Sequence, residues 1–336
     1  MIQRAKDLAQ QLGKPILGWI SDKQDAFVSG IAEKCSGVPH RYCSNHFIRD
    51  LAKPVLEKDS HAKVQMRRKV RGLRPLEKET LAELDQYHPE GGKLTHEQQK
   101  YAANIVLDYC ATVRGILNDN HGGPLNPPGL RMAKALEEAS RSIGHNLDHG
   151  KTPIYSKLNR LQNCINRGLS IYQKDKIEIE EYVREIGKVF NTLDSGKGTV
   201  KSRLFEFKDL QGQLADTQDL VKNHMSEVMH SFEAGLFVGD DELEMPQDNL
   251  DLERWFKKPK GHERKIHGRE HVGMRIVNEG PTLLPALDAH LTQSKPYTYQ
   301  GLLPYAYIEP PESQIRSVQH KRIMTKASSK KKDRTY

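Results

Sequence analysis

The chain has 336 residues, of which 36% are hydrophobic and 29% are charged. This length allows a sizeable core and two or three structural units, and the polar balance favours long, exposed helices over a compact all-β body. The formal net charge is +8. From Ile315 onward, however, eight Lys and Arg residues accompany a single acid, Asp333, so this tail alone carries +7 of the charge. Net charge therefore says little about the surface of the folded body.

Neither a membrane protein nor a secreted protein is expected from these letters. No apolar run reaches the ~18 residues that a spanning helix needs, and the N-terminus lacks the apolar core of a signal peptide. The four cysteines show no framework spacing, as is typical of reduced thiols. We expect a soluble, cytoplasmic protein.

The first 50 residues predict helices that alternate with short strands. Residues 1–12 form an apolar helical stripe that ends at Gly13, and KPILGWIS then predicts a short buried strand. Ser21 and Asp22 are expected to open a second helix that ends near Gly37. VPHRYC predicts another strand, and a helix follows from Asn45. Two strands joined by a helix are normally parallel and adjacent.

A parallel sheet of only two strands would be incomplete. Parallel sheets are normally covered on both faces, and an isolated strand pair is marginally stable. A buried strand without a neighbour also leaves backbone groups unpaired. We therefore expect further strands of this sheet to precede Met1 and to be missing from this chain.

From about Ser60 to Phe237, helical patterns dominate the sequence. The apolar residues between Ile154 and Phe190 alternate steps of three and four, and the pattern resumes between Leu204 and Phe232. The two runs flank DSGKGT, a glycine-containing turn, and predict an αα-hairpin or antiparallel coiled coil. The last residues, KASSKKKDRTY, predict a disordered tail.

Two features near the N-terminus carry chemically capable side chains. Asp22 stands at a strand end, where α/β folds present ligand groups, but its carboxylate is equally suited to cap the following helix. Cys43 and His46 form a C-x-x-H pair, with His40 three residues before Cys43. A zinc site needs four ligands and no second pair is evident, so a structural thiol and a hydrogen-bonded histidine are favoured.

A third feature is QDNLDLERWFKKPKGHERKIHGREH, residues 247–271. It places Glu253 in a predicted short helix, where it could be a solvated carboxylate paired with Lys257. The basic residues that follow suit either an ordinary solvated surface or contacts with nucleic-acid phosphates. They are Lys257, Lys258, Lys260, Arg264, Lys265 and Arg269.

Two of these blocks resemble a known family. SDKQDAFVSGIAEKCSGVPHRYCSNHFIRDLAKPV is similar to the block around the second catalytic aspartate of Mutator-like DDE transposases from bacterial insertion sequences. NLDLERWFKKPKGHERKIHGR resembles the block that carries their final glutamate, usually written NNDLE. The blocks stand in the family order, are separated by a long helical insertion, and cover about a third of the chain.

The resemblance implies an α/β fold, a partial RNase H-like core, interrupted by a large all-α insertion, with a predominantly helical chain overall. Asp22 would correspond to the second acid and Glu253 to the third, whereas Cys43 and His46 would support the site. The family's first aspartate lies on a strand that has no counterpart here. The implied division is a partial core at 1–58, the helical insertion with its coiled-coil hairpin at 59–240, the catalytic helix and basic loop at 241–290, and an extended basic tail at 291–336.

The implied chemistry is DNA transposition through two-metal phosphodiester cleavage and strand transfer. Mg²⁺ or Mn²⁺ would be held by Asp22 and Glu253, but only if the missing acid is supplied, because the first aspartate is expected to bridge both metals. The chain alone is therefore expected not to cut DNA.

The expected partners are DNA, at the ends of the element and at its target, and an upstream-frame polypeptide that supplies the missing strands. A homo-oligomer and a nucleoid-associated location also fit this reading. The alternative is a non-catalytic helical or coiled-coil protein that binds DNA or another protein. A third class, a self-sufficient nuclease, needs a replacement acid that the sequence does not reveal.

Overall fold

The computed structural model describes residues 2–70, 72–85, 95–148, 154–215, 218–239 and 245–254, together with Lys257 and Gly261. Within these residues the chain is predominantly helical, as expected, and two short strands form one parallel pair. In chain order the elements are α1 (Ile2–Gln11), β1 (Trp19–Ser21), α2 (Asp25–Lys34), β2 (His40–Tyr42), α3 (Ser44–Leu51), α4 (Lys53–Lys69), α5 (Leu73–Asp85), α6 (His96–Asn118), α7 (Pro128–Asp148), α8 (Tyr155–Thr192), α9 (Val200–Ala215) and α10 (Leu220–Leu236).

The chain divides into two compact units. Among the described residues, the first unit comprises those within 2–20, 25–38 and 248–261, and the second comprises those within 21–24 and 39–247. The four segments expected from the sequence stay a prediction, and the tail at 291–336 lies outside the described residues. The RNase H-like core likewise stays a prediction.

In the first unit, α1 packs against α2 over a small apolar cluster. Ile2, Ile31 and Cys35 are buried there, and Trp19, Phe27 and Val38 pack against them. The expected end of α1 is confirmed, because Gly13 adopts a left-handed φ of 61°. The N–H groups of Gly13 and Lys14 donate to the carbonyls of Gln10 and Ala9 at 3.0 and 2.9 Å, which satisfies the last turn of the helix.

The strands differ from expectation in length and burial. β1 covers only three residues, of which Ser21 alone is buried, and Leu17 is 67% exposed. The prediction of a buried strand over KPILGWIS is therefore wrong in extent. The helix after β1 begins at Asp25, so Ser21 and Asp22 do not open it. β2 spans His40–Tyr42, and α3 then begins at Ser44, close to the predicted positions.

Among the described helices α8 is the longest, and it is central to the second unit. Its 38 residues pack mainly against α4 and α7, with Leu161, Ile165 and Ile179 fully buried. Phe190 belongs to the same predicted apolar stripe but is 43% exposed. A 3-10 turn, Ser195–Lys197, links α8 to the return limb, which consists of the two helices α9 and α10 packed on each other. The predicted αα-hairpin with its turn near Gly196 agrees with the α8–turn–α9 connection, but the return limb consists of two helices, where the apolar pattern predicts one.

A buried carboxylate joins three helices of the bundle. Asp59 of α4 is fully buried and accepts hydrogen bonds from the backbone N–H groups of Gly129 and Leu130, at 2.6 and 2.8 Å. Its Oδ1 also accepts from the hydroxyl of Tyr172 at 2.7 Å. Asp59 thereby satisfies orphan donors in the first turn of α7 from a neighbouring helix.

A buried guanidinium closes the end of α8 in the same way. Arg203 of α9 is 2% exposed and donates to the carbonyls of Thr192, Leu193 and Gly198 at 3.2 to 3.4 Å. It also lies 5.7 Å from the centre of the Phe237 ring. The last carbonyls of a helix have no intrahelical N–H donor, and the guanidinium of Arg203 donates hydrogen bonds to those at the end of α8.

An aromatic cluster connects β2 with the helices of the return limb. Tyr42 and Phe47 each contact Phe232, with ring centroids 5.9 and 5.4 Å apart. Phe47 also contacts Phe207, at 5.9 Å. The close approach of α10 to β2 requires Gly235, because a Cβ there would lie 2.5 Å from the Tyr42 ring. This cluster supports the strand end that bears the candidate site.

Candidate functional site

Asp22 lies immediately after β1, in the short link before α2. It is half-buried, and its Oδ2 accepts a hydrogen bond from Gln24 Nε2 at 2.8 Å. Among the described residues its Oδ1 has no hydrogen-bond or ion-pair partner. Asp22 is not the N-cap of α2, which begins three residues later. Its carboxylate therefore keeps an oxygen that a ligand can use.

The residue after Asp22 is held in an unusual conformation. Lys23 has a φ of 62°, the left-handed region that side chains with a Cβ rarely adopt. Its N–H donates to Ser21 Oγ at 3.3 Å, its ammonium donates to Ser231 Oγ, and the same ammonium lies 4.6 Å from the centre of the Phe232 ring. These contacts from α10 hold the strained link in place. Nothing in the sequence pattern indicated a role for Lys23.

The C-x-x-H motif lies beside the strand end that precedes Asp22. Cys43 is fully buried, and its N–H donates to the Ser21 carbonyl at 2.8 Å. Ser21 Oγ is hydrogen-bonded to His40 Nε2 at 2.8 Å, and burial lowers the pKa of His40. His46 follows on the first turns of α3 and is half-buried. The motif and the Asp22 segment are thus joined through Ser21.

The chain that leads toward Glu253 is bound at the same place. The Gln247 carbonyl accepts from the N–H and the hydroxyl of Ser44, at 3.0 and 2.9 Å. The buried Arg41 donates to the Met245 carbonyl at 3.3 Å. Cys43 and Ser44, adjacent in sequence, therefore bind Ser21 on one side and Gln247 on the other.

Glu253 itself lies in the first unit, on a short helical segment at 250–254, as predicted. Asp248 Oδ1 accepts from the Leu250 N–H at 2.9 Å, and the Glu253 N–H donates to the Asn249 carbonyl at 2.9 Å. Asp251 is highly exposed and pairs with Arg254 at 3.2 Å. Asp248 thus caps the segment, Asp251 makes a surface ion pair, and Glu253 is half-buried.

Only part of the basic block is described. Lys257 is helical and exposed. Lys258, Lys260, Arg264, Lys265 and Arg269 lie outside the described residues, so their contact with DNA stays a prediction.

Carboxylate oxygens are the ligands that Mg²⁺ and Mn²⁺ prefer, and Asp22 of the second unit and Glu253 of the first unit each carry this type of donor. In the part of the chain that the structure describes, no group of three or more His, Cys, Asp and Glu side chains is placed to hold a metal ion. Also within that part, no helix combines the length and apolar character needed to cross a membrane.

No protein-family model matches this chain, and no curated protein or solved structure matches it significantly. The likeness to Mutator-like transposases consequently rests on the two sequence blocks, and the function that follows from it is a proposal.

Proposed function

We propose that this chain contributes Asp22 and Glu253 to a metal-dependent site that cleaves and joins DNA strands, as expected for a Mutator-like DDE transposase. The observation that carries the proposal is the junction at Cys43 and Ser44. Cys43 binds the residue before Asp22, and Ser44 binds Gln247, six residues before Glu253. Ser21, which precedes Asp22, and Gln247, which precedes the Glu253 segment in the sequence, are therefore bound by adjacent residues of the C-x-x-H motif.

The conformation of the Asp22 link supports a ligand role over a structural one. A left-handed non-glycine residue costs about 1–2 kcal/mol, and such strain is concentrated at functional sites. Lys23 carries this cost directly after Asp22, and α10 contacts stabilise it. A carboxylate whose only role was to cap α2 would not require a left-handed residue directly after it.

When bound, divalent metal supplies activation of the attacking oxygen and stabilisation of the leaving oxygen of a phosphodiester. Asp22 and Glu253 would each provide carboxylate oxygens to it. The buried Cys43 and its N–H bond to Ser21 would fix the strand end and so the direction of Asp22. His40 would hold the Ser21 hydroxyl, which in turn accepts from the Lys23 N–H.

The decisive experiment measures whether the two acids come together. In the double variant Asp22→Cys/Glu253→Cys, a short bismaleimide should join the two new thiols within one chain. Cys35, Cys43, Cys110 and Cys164 are buried, so the new thiols are the accessible ones among the described residues. Tryptic digestion and mass spectrometry identify the linked peptides.

The matched control is Asp85→Cys/Glu253→Cys, which places the partner thiol at the exposed end of α5. We expect rapid linkage in the Asp22 pair and at least about tenfold slower linkage in the control pair, because proximity determines the rate. Equal rates, or no linkage between positions 22 and 253, would overturn the proposal and favour the non-catalytic helical protein.

A further inference from the structure

An open groove runs along the outer face of α3 and α4 in the second unit. Its volume is about 980 Å³, and every lining residue belongs to these two helices. The helices are nearly continuous, since the Ala52 N–H donates to Ile48 and its carbonyl accepts from Leu56, at 3.0 and 2.9 Å. The basic side chains that line the groove are His46, Arg49, Lys53, His61 and Arg68.

Three of these basic side chains are exposed to solvent and are not engaged in ion pairs among the described residues. Arg49, Lys53 and Arg68 have no ion-pair partner within the described part of the chain. Other cations of α4 differ, because Lys58 pairs with Glu178 and Lys63 is buried against the Asp119 carbonyl at 3.0 Å. The basic side chains of α4 thus differ by face. Lys58 and Lys63 are engaged with groups of the bundle, whereas Lys53 and Arg68 face the groove without an ion-pair partner among the described residues.

The groove has the length and openness of a polymer site. From His46 to Arg68 the helical rise is about 33 Å, which equals about ten base-pair steps of duplex DNA. Arg49, Lys53 and Arg68 are distributed along α3 and α4 with the acids Asp50 and Glu57 between them, so the cations are spaced along the face and do not converge on one point. Such spacing suits a row of phosphates more than a single small anion.

We infer that the groove on α3 and α4 binds the phosphate backbone of duplex DNA and directs it toward the C-x-x-H motif. The choice of DNA rests on the proposed function. His46 belongs both to that motif and to the groove lining, so the groove begins beside the segment that precedes Asp22. The contacts are to phosphates and carry no sequence preference of their own.

The test measures binding of a 30-base-pair duplex of arbitrary sequence by fluorescence anisotropy across a range of salt concentrations. The triple variant Arg49→Gln/Lys53→Gln/Arg68→Gln should weaken the Kd by about tenfold or more at ~0.1 M salt. The slope of log Kd against log salt should fall by about 2.7, roughly 0.9 for each lost phosphate contact.

The control removes the same charge from exposed positions outside the groove, as Lys69→Gln/Lys78→Gln/Lys201→Gln. It should change the Kd by no more than about twofold and leave the slope nearly intact. Equal losses in both triple variants, or an unchanged slope in the groove variant, would overturn the inference. Circular dichroism of both variants establishes that the helices are retained.

The two proposals fail separately. Linkage between positions 22 and 253 with an unchanged salt slope would retain the catalytic proposal and place DNA elsewhere on the chain. A reduced salt slope without that linkage would retain the groove on a non-catalytic DNA-binding protein.

Discussion

The interior of the bundle and the link that carries Asp22 use charged side chains in opposite ways. In the interior, Asp59 accepts three hydrogen bonds and Arg203 donates to three carbonyls. At the link, Asp22 has one amide partner, and Lys23 keeps a left-handed conformation beside it. Buried charged groups whose hydrogen bonds are all made fix the positions of the helices that they join, because an unpaired charge in the protein interior would lower the free energy of unfolding. A carboxylate with a free oxygen on a strained link is available for a ligand.

The largest effect expected from this comparison is at Asp59. The variant Asp59→Ala should lower the free energy of unfolding by about 3 kcal/mol or more, because it leaves two N–H groups and a buried hydroxyl without an acceptor. The variant Tyr172→Phe removes one of the three bonds and should cost about 1 kcal/mol. Urea unfolding followed by the helical circular dichroism signal measures both.

The control for Asp59 is Glu57→Ala, an exposed acid on the same helix. It should change the free energy of unfolding by no more than about 0.5 kcal/mol. If Asp59→Ala were as mild as this control, the start of α7 would have another source of acceptors, and the contrast with Asp22 would disappear.

These two regions also show what the sequence can and cannot predict. The end of α1 at Gly13, the helical segment around Glu253 and most of the buried stripe of α8 follow from local spacing and glycine conformation. Asp59 looks like an ordinary exposed helical acid, because its partners Gly129 and Tyr172 lie far along the chain. Long-range hydrogen bonds leave no periodic signal.

The site shows the same division. A strand-end aspartate followed by a C-x-x-H pair is recognisable in the sequence, but the pattern predicts that Ser21 and Asp22 open α2, whereas the helix begins at Asp25. Lys23 has a left-handed φ between the strand and the helix, and its side chain contacts Ser231, 208 residues along the chain, and the neighbouring Phe232. The binding of Gln247 by Ser44 was equally invisible, because neither residue is unusual in its local context.

A smaller effect sharpens the comparison at Lys23. Lys23→Gly and Lys23→Ala both remove the contacts with Ser231 and Phe232, but only glycine adopts a left-handed φ without strain. We expect Lys23→Gly to exceed Lys23→Ala in stability by about 1 kcal/mol, measured by urea unfolding. The same pair of substitutions at Lys14, which has no positive φ, should give the reverse order, because glycine there only adds freedom to the unfolded chain.

If Lys23→Ala proved as stable as Lys23→Gly, the link would hold no strain. Asp22 would then sit on an ordinary loop, and one argument for its ligand role would be lost.

The smallest expected effect is a pH dependence that arises at His40 of β2, whose side chain is hydrogen-bonded to Ser21 before the link. Burial lowers the pKa of His40, which is hydrogen-bonded to Ser21 and whose ring centroid lies 5.2 Å from that of Tyr42 in an edge-to-face arrangement. In the unfolded chain the imidazole regains its ordinary, higher pKa, so acidification adds protons to the unfolded state first. Stability should therefore fall as the pH is lowered through the ordinary titration range of histidine, and then level off below the folded-state pKa.

The variant His40→Gln removes this titration, so its urea midpoint should fall less than that of the wild type over the same pH interval. The exposed His61→Gln serves as the matched variant and should retain the wild-type fall. A wild-type fall that persists in His40→Gln would assign the titration to other groups. The Ser21–His40 contact would then be incidental to the strand end, and the support that we attribute to the C-x-x-H segment would rest on Cys43 and Ser44 alone.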